Sequence, residues 1–588
     1  MTTQAPSPLP SPPAVSLLWP DGAPKRDTRT RPPWPEATLA DLGLGELVRA
    51  LALEPRFEDA TRSILLALCD DAQVIAYRQD ALDDLLHNDA LADALRALLP
   101  TLAQLAFLGS SGRPNDATLQ LVIFRLGELE LYVEGVTQLR AQLLAAGERV
   151  RSAAFQHLRA ALTSLEQDPA FQALRAELPD MLARVRNIGS ITVGVNLDNT
   201  LRPIEATLLA VNAHRFRGAS LGFLDKLFKT SGDGGETAGI GKLHRVTLPD
   251  ELANSPANLK LVPLFRDLSE LLDASARPVA ESLTRYARLN GRVLVALAGE
   301  IAFLLGALRL MRTLQAAHLP VAKPDILPKA ARALEARDMV NVNLALRLLA
   351  REPGADLSGR IVPSDATFGE AGRIWILTGP NQGGKTTFTQ AVGLLHVLAQ
   401  AGLHVPASKA SLSPVDAIYT HFASEEKLSQ GAGRLGEEAK RLADIFGQAT
   451  TYSLVLLNES LSSTSPHESL LLSEDVTRGL RLLGARAIFA THLHGLAEAS
   501  ESINAGTPGD SRVGSLVSLV ENSETGVSTG DSARDSALER TRTFRIIAAP
   551  PQGNSHARDI AQKYGISFEQ LAQTIRSHRT GARRPSNT

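Results

Sequence analysis

The 588-residue sequence holds one cysteine, Cys69, which excludes an internal disulfide and a cysteine-based metal cluster. Cys69 sits among Leu65, Leu66 and Leu68, the setting of a buried structural thiol. A chain without disulfides fits a reducing, cytoplasmic compartment. Aromatic residues make up only 4%, while Leu, Ala and Arg abound, a balance that favours helix. Net charge is −2, so no global positive field points to nucleic acid, and any such contact has to be local. No basic-then-apolar leader opens the chain. The most apolar stretch, Val293 to Leu308, is broken by Glu300 and reads as too short and too charged to span a bilayer. No membrane is therefore expected among the partners.

A chain of this length is expected to form two or more domains. Residues 1–36 are rich in Pro, Ser and Thr and read as a disordered arm. From 37 to 355 the pattern is mostly helical, with Leu82, Leu85 and Leu86, then Leu91, Leu95, Leu98 and Leu99, recurring at three and four. An insertion near 190–255 interrupts it. Ile191, Val193, Val195 and Leu197 alternate with polar or small residues and predict a half-buried strand, and a helix is expected from Pro203. Residues 215–245 then gather Arg215, Arg217, Lys226, Lys229, Lys242, His244 and Arg245. This basic excursion reads equally as a phosphate grip or as an ordinary surface loop. Helix is expected again from about 258 to 350. Residues 356–588 alternate strands with helices, the mark of a wound α/β domain, with a disordered loop near 521–540 and a closing helix capped by Ser567.

The chemistry centres on residues 373–387. The apolar run Ile374, Trp375, Ile376, Leu377 predicts a short buried strand. Gly379, Pro380, Asn381, Gln382, Gly383, Gly384, Lys385 and Thr386 follow in the pattern G-x-x-x-x-G-K-[ST], with Thr387 beyond, and Phe388, Val392, Leu395 and Leu398 then keep helical spacing. Strand, glycine loop and helix is the setting in which inward backbone N–H groups and a helix N-terminus cradle a triphosphate. Lys385 is placed to reach the β- and γ-phosphates of ATP, and the Thr386 hydroxyl to ligate Mg²⁺. A second apolar strand ends in Asn458-Glu459. Glu459 is the candidate general base, and Asn458 holds the place where a carboxylate would meet the metal. A third strand ends in His492, expected to sense the γ-phosphate. Between the first two strands, the small glycine-rich turn through Gly433 and Arg434 opens another helix, a second anion site suited to the triphosphate of another subunit.

Gly-Pro-Asn-x-x-Gly-Lys-Thr at 379–386, the Glu459 strand followed by Thr464-Ser465, and Ala490-Thr491-His492 together resemble the MutS mismatch-repair ATPases. Leu66 to Asp84, Val193 to Ala206, Ile361 to Asp365 and Ser555 to Gly565 are also similar to that family. The resemblance implies an all-α core and lever joined to an ABC-type ATPase domain, with two copies closing around double-stranded, mismatched or branched DNA. It implies that Gly379 to Thr387 bind phosphates, that Glu459 positions water, that His492 senses the γ-phosphate, and that Ile361 or Val362 packs on adenine. This sequence differs at Asn458, at Gly433 and Arg434, where the family's signature Ser-Thr falls, and at Leu461-Ser462-Ser463. Neither a mismatch-reading domain before residue 37 nor a nuclease domain at the C-terminus is expected. The function expected is a dimeric, DNA-dependent ATPase clamp of repair or recombination, with slow turnover. The alternative is a nucleotide-gated DNA-binding or scaffold protein that turns over little ATP.

Overall fold

The computed structural model describes residues 15–20, 34–109, 119–186, 190–200, 203–212, 278–283, 286, 292–380, 382–423, 434–523, 539–551 and 567–579. The chain divides into two compact units. One comprises 93–147 and 157–298 after its first residues, and the other 15–92, 148–156 and 299–588.

Helices α1 (Glu36–Asp41), α2 (Leu44–Leu51), α3 (Glu58–Leu65) and α4 (Ala72–Leu86) open the second unit. The first unit is built from most of α5 (Asp89–Gly109), α6 (Leu119–Ala146), most of α7 (Ala153–Gln167) and α8 (Pro169–Arg186). Its core extends the leucine stripe read from the sequence: Leu95, Leu98 and Leu99 are buried, and so are Leu102, Leu105, Leu126, Leu129, Leu139, Leu174 and Leu178. Tyr132 meets Phe171 edge-on at 5.9 Å. The same unit carries the strand expected near 190, β1 (Ser190–Leu197). It is followed by a second strand, β2 (Pro203–Asn212), where a helix was expected, and the two pair antiparallel from Ser190–Asn212 to Leu197–Pro203. A Pro at the first position of a strand costs no ladder bond, so Pro203 is no guide to a helix start here. The basic residues 215–245 lie outside the described residues.

Helix α9 (Arg292–Ala316) corrects another reading. Its stretch Leu294–Ala316, at mean hydropathy 1.9, is long and apolar enough to cross a membrane. Yet 72% of that window is buried inside the protein, as expected of a core helix. Glu300 is half-buried and engaged. Its carboxylate accepts from the Ser16 hydroxyl at 2.7 Å and from the Leu17 N–H at 2.7 Å. Residues 15–20 are therefore not part of a disordered arm. Leu17 and Leu18 are fully buried, Arg78 donates to the Leu18 carbonyl at 3.0 Å, and the Arg78 guanidinium stacks 4.2 Å over the Trp19 ring. Three consecutive apolar residues are too few to register as a periodic pattern, and the surrounding prolines hide them.

The helical reading to 350 fails between α9 and α10 (Val342–Arg351). Strands β3 (Asp325–Ile326) and β4 (Leu334–Met339) join β5 (Ser364–Phe368) and β7 (Lys409–Leu412) in a four-stranded sheet, in the order β3-β7-β4-β5. Strands thus lie inside the region expected to be all-α. Leu334 and Ala336 point inward two residues apart, a strand spacing too short to stand out between helices.

The second sheet has six strands, ordered β12-β11-β6-β10-β9-β8. They are β6 (Ile374–Thr378), β8 (Ile418–Phe422), β9 (Leu454–Asn458), β10 (Arg486–Ala490), β11 (Val513–Ser523) and β12 (Glu539–Ala548). The first five are parallel and β12 returns antiparallel as the expected hairpin. Strands β6, β8, β9 and β10 are buried at every position, which explains the apolar runs of β6, β9 and β10; β8 buries Thr420 and His421 as well. The connecting helices are α11 (Lys385–Gln400), α12 (Arg434–Gln448), α13 (Pro466–Leu483), α14 (His494–Glu498) and α15 (Ser500–Gly506), and α16 (Phe568–Arg579) follows the hairpin. Residues 524–538, most of the loop expected to be disordered, lie outside the described residues, as does the segment 555–565.

Candidate functional site

The loop between β6 and α11 turns on backbone that only some residues adopt. Gly379 has φ +147°, and a Cβ there would sit 2.7 Å from the Ser518 Cβ. Gly384, the N-cap of α11, has φ +89°, and Gln382 has φ +60°. Ser518, on β11, braces this loop by donating to the Gly383 carbonyl at 2.6 Å. Asn341 braces the first turn of α11, donating to the Thr387 carbonyl at 2.9 Å. Neither residue is legible in a local motif, because each comes from a distant strand or loop.

Lys385 is only 5% exposed. Its ammonium donates to the Gly379 and Pro380 carbonyls at 2.9 and 3.1 Å, and lies 3.6 Å from a Glu459 carboxylate oxygen and 3.5 Å from His492 Nδ1. His492 Nε2 lies 3.1 Å from the same Glu459 oxygen. Adjacent parallel strands create this meeting. β9 and β10 pair Asn458 with Ala490, β10 and β6 pair Ala490 with Leu377, and the Glu459 N–H donates to the Ala490 carbonyl at 2.8 Å. Side chains at the carboxyl ends of neighbouring strands must then share one crevice. Burial lowers the Lys385 pKa, with the Glu459 charge opposing it. Burial raises the Glu459 pKa against the pull of Lys385, and burial together with Lys385 lowers that of His492.

The Thr386 hydroxyl donates to Asn458 Oδ1 at 3.1 Å. These are hard oxygen donors beside a carboxylate, the donor chemistry that fits Mg²⁺. The cleft around them has a volume of about 560 Å³ and is lined by residues including Ile361, Val362, Gln382, Gly383, Gly384, Lys385, Thr386, Thr387, Glu459 and His492. Phe544 and Ile546 from β12 line it too, and no sequence motif pointed to them. Asn381 and Gly433 lie outside the described residues. Arg434 begins α12.

Residues 375–515 match the family model of MutS domain V, and residues 70–317 match that of the MutS2 N-terminal domain. The chain belongs to the MutS family. This MutS-family chain is 26% identical over 532 residues to a DNA mismatch repair protein MutS of Chlorobium phaeovibrioides, covering 85% of this chain and 54% of that protein. It is 31% identical over 268 residues to an Endonuclease MutS2 of Thermomicrobium roseum, covering 45% of this chain and 30% of that protein. A DNA mismatch repair protein MutS of Erythrobacter litoralis is 37% identical over 144 residues, 24% of this chain and 16% of that protein. The chain thus spans about half or less of the length of these relatives.

Proposed function

We propose that this MutS-family chain is a DNA-binding ATPase that works as a homodimeric clamp in mismatch repair or recombination. The observation that carries the reading is the convergence of Lys385, at the start of α11 after the glycine loop, with Glu459 and His492 just beyond the ends of the neighbouring parallel strands β9 and β10. The backbone N–H groups between Gly379 and Thr387, Pro380 having none, bind the phosphates. Lys385 gives up its two loop carbonyls for β- and γ-phosphate oxygens, which better match a buried ammonium. Thr386 and Asn458 hold Mg²⁺, which when bound neutralises charge on the phosphate oxygens. Glu459 Oε1 accepts a proton from the attacking water, and its burial favours the transfer by making it more basic than an exposed glutamate. His492 orients that carboxylate and contacts the γ-phosphate. Ile361 and Val362, with Phe544 and Ile546, supply the apolar wall for the adenine. The turn through Gly433 and Arg434 faces the triphosphate of a second copy, so that each site is completed across the dimer. The names of the relatives, mismatch repair protein and endonuclease, support DNA as the partner.

Mg²⁺-dependent phosphate release, measured with and without mismatched or branched duplex, tests the reading. Lys385→Ala is expected to abolish nucleotide binding, and Glu459→Ala to bind ATP without releasing phosphate; normal turnover in the second variant would refute the assignment of Glu459. Asn458 favours a second reading, in which nucleotide gates DNA binding with little turnover, because its amide oxygen carries no full charge toward the metal. DNA affinity that follows nucleotide state while phosphate release stays at background would select that reading.

A further inference from the structure

Glu459 sits in a strained place. Its φ is +53°, and that of Leu461, two residues on, is +62°. Non-glycine side chains hold such backbone only when the surroundings impose it. Three ties impose it here. The Glu459 N–H is held by the Ala490 carbonyl, the Leu461 side chain is buried, and the Ser469 hydroxyl donates to the Leu461 carbonyl at 2.7 Å. The residue between them, Ser460, is tied to β8. Its Oγ donates to the His421 carbonyl at 2.9 Å and lies 2.7 Å from His421 Nδ1. Both residues are 2% exposed.

Counting hydrogens fixes how the two side chains are joined. A serine hydroxyl has one hydrogen, and Ser460 spends it on the His421 carbonyl. The contact at 2.7 Å is therefore His421 Nδ1–H donating to Ser460 Oγ, which sets the tautomer with the proton on Nδ1. One side chain accepts from the imidazole and donates to the same residue's backbone. This closed loop fixes the position of Ser460 in two directions, and with it the carboxylate one residue earlier. His421 is itself fixed at the end of β8: the Arg441 guanidinium donates to the Thr420 carbonyl at 2.8 Å, and the Ala423 N–H donates to the Asn458 carbonyl at 3.0 Å.

We propose that His421 and Ser460 form a positioning pair that aims the Glu459 carboxylate at the attacking water. The proposal rests on the reading of Glu459 as the general base. Neither residue belongs to the motifs that marked the site, and neither lines the nucleotide cleft. A misplacement of about 1 Å at a reacting group can lower rate by roughly 100-fold.

The test is single-turnover and steady-state ATP hydrolysis, alongside binding of a fluorescent ATP analogue and thermal unfolding, in the full chain. Ser460→Ala and His421→Ala are expected to lower kcat by about 10- to 100-fold with nucleotide affinity within about twofold of wild type. His421→Asn, whose amide N–H falls where Nδ1–H was, is expected to recover most of that loss, and His421→Gln, whose amide sits where Nε2 was, is not. Parallel loss of affinity and kcat, or equal rates in the Asn and Gln variants, would reduce the pair to ordinary bracing and overturn the proposal. Wild-type rates in both alanine variants, with Glu459→Gln inactive, would overturn the pair and leave Glu459 standing. Wild-type turnover in Glu459→Gln would instead remove the reading on which the pair depends.

Discussion

At the scale of single residues, burial decides which groups carry charge. His396 is fully buried in α11 and donates Nδ1–H to the Val392 carbonyl at 3.0 Å, while its Nε2 has no partner. A proton on Nε2 would point into the core near the Arg486 charge. Burial first and Arg486 second accordingly push its pKa down to about 3, and burial with Arg441 pushes that of His421 to about 4. The sign follows from linkage. Below the ordinary histidine value of about 6.5 the unfolded chain takes up protons that the folded chain refuses, so stability drops as pH is lowered. Each of the two histidines costs about 1.4 kcal/mol per pH unit between about 6.5 and its folded value. Denaturant midpoints at pH 7, 6 and 5 are expected to fall accordingly, and His396→Leu to flatten the slope by one proton. Arg486 needs no such neutralisation, since it donates to the carbonyls of Ser413, Pro414 and Tyr452.

At the scale of elements, two short pieces have effects larger than their length. Val15–Pro20 is anchored by Glu300 and Arg78 rather than by secondary structure. Leu18→Ala should cost about 2–5 kcal/mol, the range for a fully buried leucine, whereas the same change at exposed Leu472 should cost little. Unfolding curves of the two variants check this. β11 does more than extend the sheet, because Ser518 fills the space that Gly379 and Gly383 of the loop between β6 and α11 leave open. Ser518→Ala removes one buried hydrogen bond, about 1 kcal/mol. Ser518→Val adds bulk against Gly379 and Gly383, and isothermal titration should show it weakening nucleotide binding well beyond the alanine variant.

At the scale of the whole molecule, the proposed clamp requires two copies. Small-angle scattering of the wild type with an ATP analogue is expected to show a nucleotide-dependent dimer, and Lys385→Ala none. A single particle unchanged by any nucleotide would remove the composite site. With a net charge of −2, the proposed DNA contact would have to come from local basic groups. Affinity for duplex should then fall steeply between 50 and 200 mM salt, with a slope that counts the phosphates engaged.

The glycine loop between β6 and α11, and the placing of Glu459 and His492 just beyond the ends of β9 and β10, were legible, because a glycine loop between a buried strand and a helix, and polar residues ending other buried strands, are local patterns. The sequence likewise determined the helical stripes of α4 to α6 and the hairpin of β11 and β12. The rest depended on partners distant in the chain. Nothing near Ser16 announces Glu300 in α9, and nothing near Leu334 announces Lys409 to Leu412 as the neighbouring strand. Ser460 and His421 are unremarkable until β8 lies beside β9. Periodicity records which face of an element is buried, whereas only the folded chain decides what that face meets, because hydrogen bonds and packing act between atoms close in space whatever their separation in sequence.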